Sequence, residues 1–246
     1  MSIESNDDLE GLREAGRVTT AILDALVAHV REGVTTGDLD AIAARILARD
    51  GARSAPAMVY RFPGHVLISV NDEIVHGIPG NRRIVSGDLV SLDVTVEKDG
   101  YVADAARSVV VGRGSVTASE LVAAAEAALA RGVAVARAGV PVNAIGRAVQ
   151  REVRRRGFSV VRGLCGHGVG RTIHEAPEVP NVYDRSVRDV LTNGLVLTIE
   201  PMISAGSSYP VQGADGWTLR TRDGSLAAHC EHTLVITTGE PLILAA

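Results

Sequence analysis

The sequence predicts an α+β fold in which one unit, two helices followed by antiparallel strands, is written twice with pseudo-twofold symmetry. Three observations carry this reading. First, landmarks recur in the same order. Gly33-Val34 leads into an Ala-rich stretch ending at Gly51, and Gly139-Val140 leads into one ending at Gly157. Asp93 stands six residues after Gly87 and Glu200 six after Gly194, while Asp104 and Glu231 each stand eight residues before a glycine, Gly112 and Gly239. Second, the hydrophobic period changes from helical to alternating at matching points of the two halves. Third, 246 residues with 46% apolar and 22% charged content are ample for a packed core and exclude a disordered or collagen-like chain.

The elements follow in order. Leu12, Ala15, Val18, Ile22, Leu26 and Val30, at three- and four-residue steps, predict a first helix over 7–30. Thr35 and Asp38 form a capping-box pattern that opens the second helix. Runs rich in Val and Thr predict strands over 89–97 and 102–111, joined at Asp99-Gly100, a two-residue turn signal. In the second half, Thr117 and Glu120 predict the cap of the third helix, and the fourth follows Pro141 towards Arg156. Strands are expected over 195–199 and 232–236. The spacing between carboxylates is about twenty residues longer in the second half, so an insertion lies between Glu200 and Glu231. No Pro/Gly/Ser-rich linker separates the halves, 1–115 and 116–246, so a single catalytic domain over 1–246 is expected, with its site where they meet.

Composition narrows the function. Lys+Arg 25 against Asp+Glu 29 gives a net charge of -4, without the positive excess that attracts nucleic acid. The acidic start MSIESNDDLE is unlike a signal peptide, and the most apolar helical stretch, 121–130, is short and carries Glu126, so no membrane span is expected. Cys165 and Cys230 are too few for a disulfide scaffold. Together these point to a cytoplasmic protein.

The chemistry begins at the first hairpin. A two-residue turn at Asp99-Gly100 pairs Lys98 with Tyr101, sets Thr95 opposite Asp104, and sets Asp93 opposite Ala106. Asp93 and Asp104 then share a face as diagonal neighbours, within reach of one ion. The repeat predicts a similar arrangement of Glu200 and Glu231. Leu92, Val94, Leu197 and Ile199 mark these strands as buried, and a carboxylate in a buried strand needs a partner. Two divalent cations would neutralise four such charges. Among seven histidines, His167 and His174 stand out, because GLCGHGVGRTIHEAP lets the backbone approach a ligand closely. His29 reads as a packed or solvated helix residue, and no role is assigned to His65, His229 or His232.

The ordered set Asp93, Asp104, His167, Glu200, Glu231, with the flanking motifs REAGRVTTAILDAL, SVNDEIVHGIPG, GDLVSLDVTV, GHGVGRTIHEAP, TIEPMISAG and DGWTLRTRDGSLAAHCEHTLVIT, resembles the type I methionine aminopeptidases of the bacterial kind over nearly the whole chain. The resemblance implies the pita-bread fold, a dinuclear metal centre, and removal of the initiator methionine from nascent proteins with a small second residue. It implies that these five residues are the metal ligands, for two divalent ions among Co, Mn, Fe and Zn. A metal-bridging hydroxide would attack the scissile carbonyl, with Glu200 as proton shuttle, His174 stabilising the oxyanion and His76 bonding the substrate's backbone nitrogen. Thr95 would orient a ligand or water from behind. The methionine pocket would be walled by Val59, Phe62, Leu67, Ile173 and Trp217, and rings common in the family at positions 59 and 173 would be missing. Ala105 stands where Thr commonly follows the second aspartate. The implied partners are N-termini of nascent chains near the ribosome, with no specific nucleic acid, no membrane, and a monomeric state. The resemblance gives no room for the zinc-binding module of eukaryotic type I enzymes or the helical insertion of type II enzymes. The alternatives are an Xaa-Pro peptidase, whose relatives usually carry a large N-terminal domain, and a binding protein of the same fold, which generally loses metal ligands.

Overall fold

The structure, a computed structural model, describes residues 1–246. Five helices are present: α1 (Asn6–His29), α2 (Thr36–Asp50), α3 (Ala55–Tyr60), α4 (Val116–Val135) and α5 (Asn143–Arg155). Every strand pairing is antiparallel. The first half centres on the strand Leu89–Lys98, which pairs along its whole length with Tyr101–Val110, while Leu67–Val70 and Arg53–Ser54 share its other edge. The hairpin register is the expected one, with Lys98 opposite Tyr101, Thr95 opposite Asp104 and Asp93 opposite Ala106. In the second half, Val196–Ile199 pairs with His232–Val235 at the centre of a five-stranded sheet.

Two apolar cores of similar size lie one largely in each half. Ile22, Leu23 and Leu26 of α1 and Leu39, Ala43 and Leu47 of α2 pack on Val90, Leu92, Val94 and Val96. Leu121, Ala125 and Ala128 of α4 and Ile145, Val149 and Val153 of α5 pack on Leu197, Ile199 and Leu234. The central strand of the first half thus gives its even-numbered residues to the helices. Of its odd-numbered residues, Ser91, Asp93 and Thr95 are polar yet also buried where the two halves meet, while Glu97 is buried under Arg53, which donates to it at 2.6 Å. That polar, covered face carries the site.

The halves join along one constant antiparallel register. The Asp104 N–H donates to Thr233 Oγ1 (2.9 Å), which donates to the Asp104 carbonyl (2.7 Å). Ala106 and Glu231 exchange backbone bonds. Ser108 Oγ donates to the His229 carbonyl (2.8 Å) and accepts from the His229 N–H (2.9 Å).

Two expectations change in detail. The third helix is capped by Ser115, whose hydroxyl accepts from the Ala118 N–H (3.1 Å), so Thr117 lies inside the first turn and does not cap it. The insertion between Glu200 and Glu231 is ordered as the strands Met202–Ser204, Pro210–Gln212, Leu219–Thr221 and Ala227–His229. Leu219–Thr221 pairs back onto Glu73–Val75, the strand that leads into His76.

Candidate metal centre and substrate pocket

Asp93, Asp104, His167, Glu200 and Glu231 all line one cavity of about 280 Å³. Each is buried. Asp93 and Asp104 come from the first hairpin. Glu200 follows the last residue of Val196–Ile199, and Glu231 precedes the first of His232–Val235. Since Ile199 pairs with His232, continuing that register by one residue sets Glu200 opposite Glu231. The second pair is therefore directly opposed, whereas Asp93 and Asp104 are diagonal. Donor atoms of Asp104, His167 and Glu231 lie within 4.8 Å of one another, and His167 Nε2 is 3.3 Å from Glu200 Oε1.

The protonation states follow from burial. The Asp93, Glu200 and Glu231 carboxyls are pushed well above the ordinary range by burial and by neighbouring carboxylates. Burial pushes Asp104 up to about 6, an effect partly offset by the Thr95 hydroxyl that the hairpin sets opposite it. His167 is pushed down to about 4 by burial and by the nearby His174, so its ring is neutral. Its Nδ1 lies 2.9 Å from the Gly168 carbonyl, which can only accept. The ring proton therefore sits on Nδ1, and Nε2 presents a lone pair to the carboxylates. Thr198 Oγ1 donates to Glu200 Oε1 (3.0 Å) and accepts from the His167 N–H (3.1 Å), tying these two residues together.

The donor set fits divalent cations. Asp104 Oδ1 and Glu231 Oε1 are buried without a hydrogen-bond partner, a costly state for a carboxylate unless a cation occupies the space. Four carboxylates and one neutral imidazole form the oxygen-dominated set that suits Mn, Fe or Co as well as Zn.

His229 is the residue that sequence reasoning missed. It is 1% exposed, and neither ring nitrogen has a hydrogen-bond partner. Its Nε2 lies 3.7 Å from Glu200 Oε2 and 3.9 Å from Glu231 Oε2, and its Nδ1 lies 3.9 Å from Asp93 Oδ2. Its two-residue step from Glu231 was the available signal, since alternate residues share a face. His29, His65 and His232 lie outside the cavity. His65 pairs with Asp40 (2.9 Å) at the surface, His29 bonds the Ala25 carbonyl (2.7 Å), and His232 bonds the Glu231 carbonyl (2.8 Å).

Above the carboxylates the cavity wall is apolar. Phe62, Leu67, Ile173 and Trp217 line it as expected, and the rings of Phe62 and Trp217 meet edge to face at 5.3 Å. Val59 does not line it and is exposed. Tyr60 takes that place, with its phenol oxygen 2.6 Å from His174 Nδ1. Arg61, at φ 59°, turns the chain so that Tyr60 and Phe62 both face inward. The expected loss of a wall ring at position 59 is therefore made good one residue later. His76 and His174 sit at the mouth, shared with an open cleft of about 570 Å³ that also reaches Cys165 and Met202. His76 adopts φ 63°, rare for a residue with a Cβ, and Gly77 after it packs so closely that a Cβ would lie 2.1 Å from the Ile68 carbonyl. Both histidines are held below their ordinary pKa by burial and are neutral.

The sequence model of metallopeptidase family M24 matches residues 10–238. The chain is 42% identical over 246 residues to methionine aminopeptidase 2 of Bacillus subtilis, covering 99% of each. It is 39% identical over 259 residues to a methionine aminopeptidase of Aquifex aeolicus, again covering 99% of each. Its fold superimposes on the crystal structure of methionine aminopeptidase from Rickettsia prowazekii with TM-score 0.95 and 34% identity over 100% of both chains.

Proposed function

The chain belongs to metallopeptidase family M24, in which it is a type I methionine aminopeptidase with the pita-bread fold, and from that premise we propose how its residues divide the work. It removes N-terminal methionine from protein chains. Asp93, Asp104, His167, Glu200 and Glu231 would hold two divalent ions. When bound, such ions neutralise the carboxylates, lower the pKa of water and polarise the scissile carbonyl.

The chain's own groups do the rest. The methionine side chain enters the apolar wall of Tyr60, Phe62, Leu67, Ile173 and Trp217, where its flexible thioether packs against an irregular surface. The peptide beyond it leaves through the open cleft past His76 and His174. His76 is neutral, so its unprotonated nitrogen accepts the N–H of the scissile amide. His174 donates to the carbonyl oxygen as negative charge develops there. Glu200 takes the proton that the attacking water gives up and returns it to the amide nitrogen, which becomes the new N-terminus as the C–N bond breaks. A small second residue is favoured, since the scissile carbonyl must reach the carboxylate floor past His76. The substrates are nascent chains near the ribosome, met in the cytoplasm by a monomer. No helix is long and apolar enough to cross a membrane.

One observation carries this reading: five buried candidate ligands form the floor of the cavity whose walls are apolar. The test uses metal-stripped protein, Mn or Co added back, and peptides beginning Met-Ala, Met-Leu and Ala-Pro, read by mass. Metal-dependent loss of methionine from Met-Ala is expected, with Met-Leu slower. Full activity without metal would refute the metal centre, and preference for Ala-Pro would make the enzyme an Xaa-Pro peptidase.

A further inference from the structure

Tyr60 closes the short helix α3, and its hydroxyl makes the one hydrogen bond that the ring of His174 receives, at 2.6 Å from Nδ1. The rings are tilted by 45° with centroids 5.7 Å apart, so the contact is edge-on through the hydroxyl and not a stack. A neutral imidazole carries one donor and one acceptor nitrogen, and the partner decides which is which. The phenol is by far the more acidic group, so it donates and Nδ1 accepts. If the bond ran the other way, Nε2 would carry only a lone pair and would repel a developing oxyanion.

We propose that Tyr60 is a positioning residue that fixes His174 as its Nε2–H tautomer, so that the edge of the ring opposite the phenol presents a donor to the reacting carbonyl. This rests on the reading of His174 as the oxyanion donor. One side chain then serves twice, walling the methionine pocket and orienting the donor beside it. A seated methionine would cover the Tyr60–His174 pair, which is open to solvent at the mouth, and so strengthen its bond when the carbonyl is in place.

Tyr60→Phe tests the proposal, because it keeps the ring that walls the pocket and removes only the hydroxyl. kcat for a Met-Ala peptide should fall about 2- to 12-fold, the worth of one hydrogen bond, with KM nearly unchanged. In a His174→Ala background the same change should be silent. An equal fall in both backgrounds would show that Tyr60 acts independently of His174 and overturn the proposal. So would an unchanged kcat in Tyr60→Phe while His174→Ala is strongly impaired; that outcome leaves the role of His174 standing. An unimpaired His174→Ala would instead overturn the reading of His174 itself, and Tyr60's role with it. Nitrogen-15 NMR of the zinc-loaded enzyme gives a readout free of turnover. A protonated Nε2 with a bare Nδ1 is expected at His174, shifting towards mixed tautomers in Tyr60→Phe. A protonated Nδ1 in the parent protein would overturn the assignment.

Discussion

Replacing Asp104 by asparagine should stabilise the metal-free protein and destabilise the metal-loaded one. In the metal-free protein, burial pushes the Asp104 carboxyl from its ordinary 3.8 up to about 6. The folded state then holds that proton more tightly than the unfolded chain does. The stability contributed by this group is therefore complete below pH 3.8 and is lost as pH rises through 6. A gap of about two pH units is worth about 3 kcal/mol, of which about 2 kcal/mol falls between pH 4.5 and 8. Asparagine cannot ionise and avoids that loss. The stability of the variant relative to the parent should thus grow by about 2 kcal/mol across this range, or about 4–8 °C in Tm for a chain of this size.

With Mn or Co bound the sign reverses. A cation compensates the Asp104 charge, and the neutral amide loses that attraction, so the variant should bind metal more weakly and unfold first. Urea unfolding of stripped and loaded proteins at pH 4.5, 6 and 8 measures both arms. A stability difference independent of pH in the stripped proteins would refute the assignment of Asp104 as a buried, uncompensated carboxylate. An asparagine variant that stays more stable when loaded would refute its role as a ligand.

His229→Ala removes the imidazole facing Asp93, Glu200 and Glu231 while leaving its backbone bonds to Ser108 in place, and metal affinity measured by calorimetry should fall about 10- to 100-fold. Unchanged affinity would reduce His229 to packing. Lys-Ala peptides should resist cleavage where Met-Ala peptides are cut, since the apolar wall offers a buried ammonium no partner; equal rates would refute that pocket. Gly146→Ala should lower thermal stability by about 1–3 kcal/mol despite alanine's better helix propensity, because a Cβ there would sit 2.3 Å from the Val182 carbonyl and force α5 outward. A melting temperature equal to or above the parent's would show that the helix can shift without cost.

How much was legible in the sequence depended on how local its cause was. The hairpin around Asp99-Gly100 could be registered residue by residue, because a two-residue turn leaves the pairing no freedom. That alone brought Thr95 opposite Asp104 and left Asp93 diagonal to it. Val59 and Tyr60 show the opposite case. Which of two neighbours lines the cavity depends on a helix of six residues and on Arg61 ending it in a left-handed cap, a conformation that an arginine does not announce in the sequence. The seam was equally hidden. Asp104 with Thr233, Ala106 with Glu231 and Ser108 with His229 are partners more than 120 residues apart, and the two-residue step from His229 to Glu231 says only that they share a face, not that Asp93 lies across the seam.

The repeat is what made the site readable despite this. In the strand Leu89–Lys98, polar residues alternate with apolar ones in the manner of a sheet with one wet face. Taken singly, that strand would send Asp93 to solvent. The second half carries its own carboxylates, Glu200 and Glu231, at matching offsets, and the first half covers its own polar face only in part, with the short helix α3 at the cavity wall. The two faces meet along the seam, and this gathers four carboxylates in one buried space. The charge is too great to remain uncompensated there, as the raised carboxyls and the orphaned oxygens of Asp104 and Glu231 record. The duplication that builds the fold therefore also creates the demand for cations, and fold and metal chemistry have one cause in the sequence.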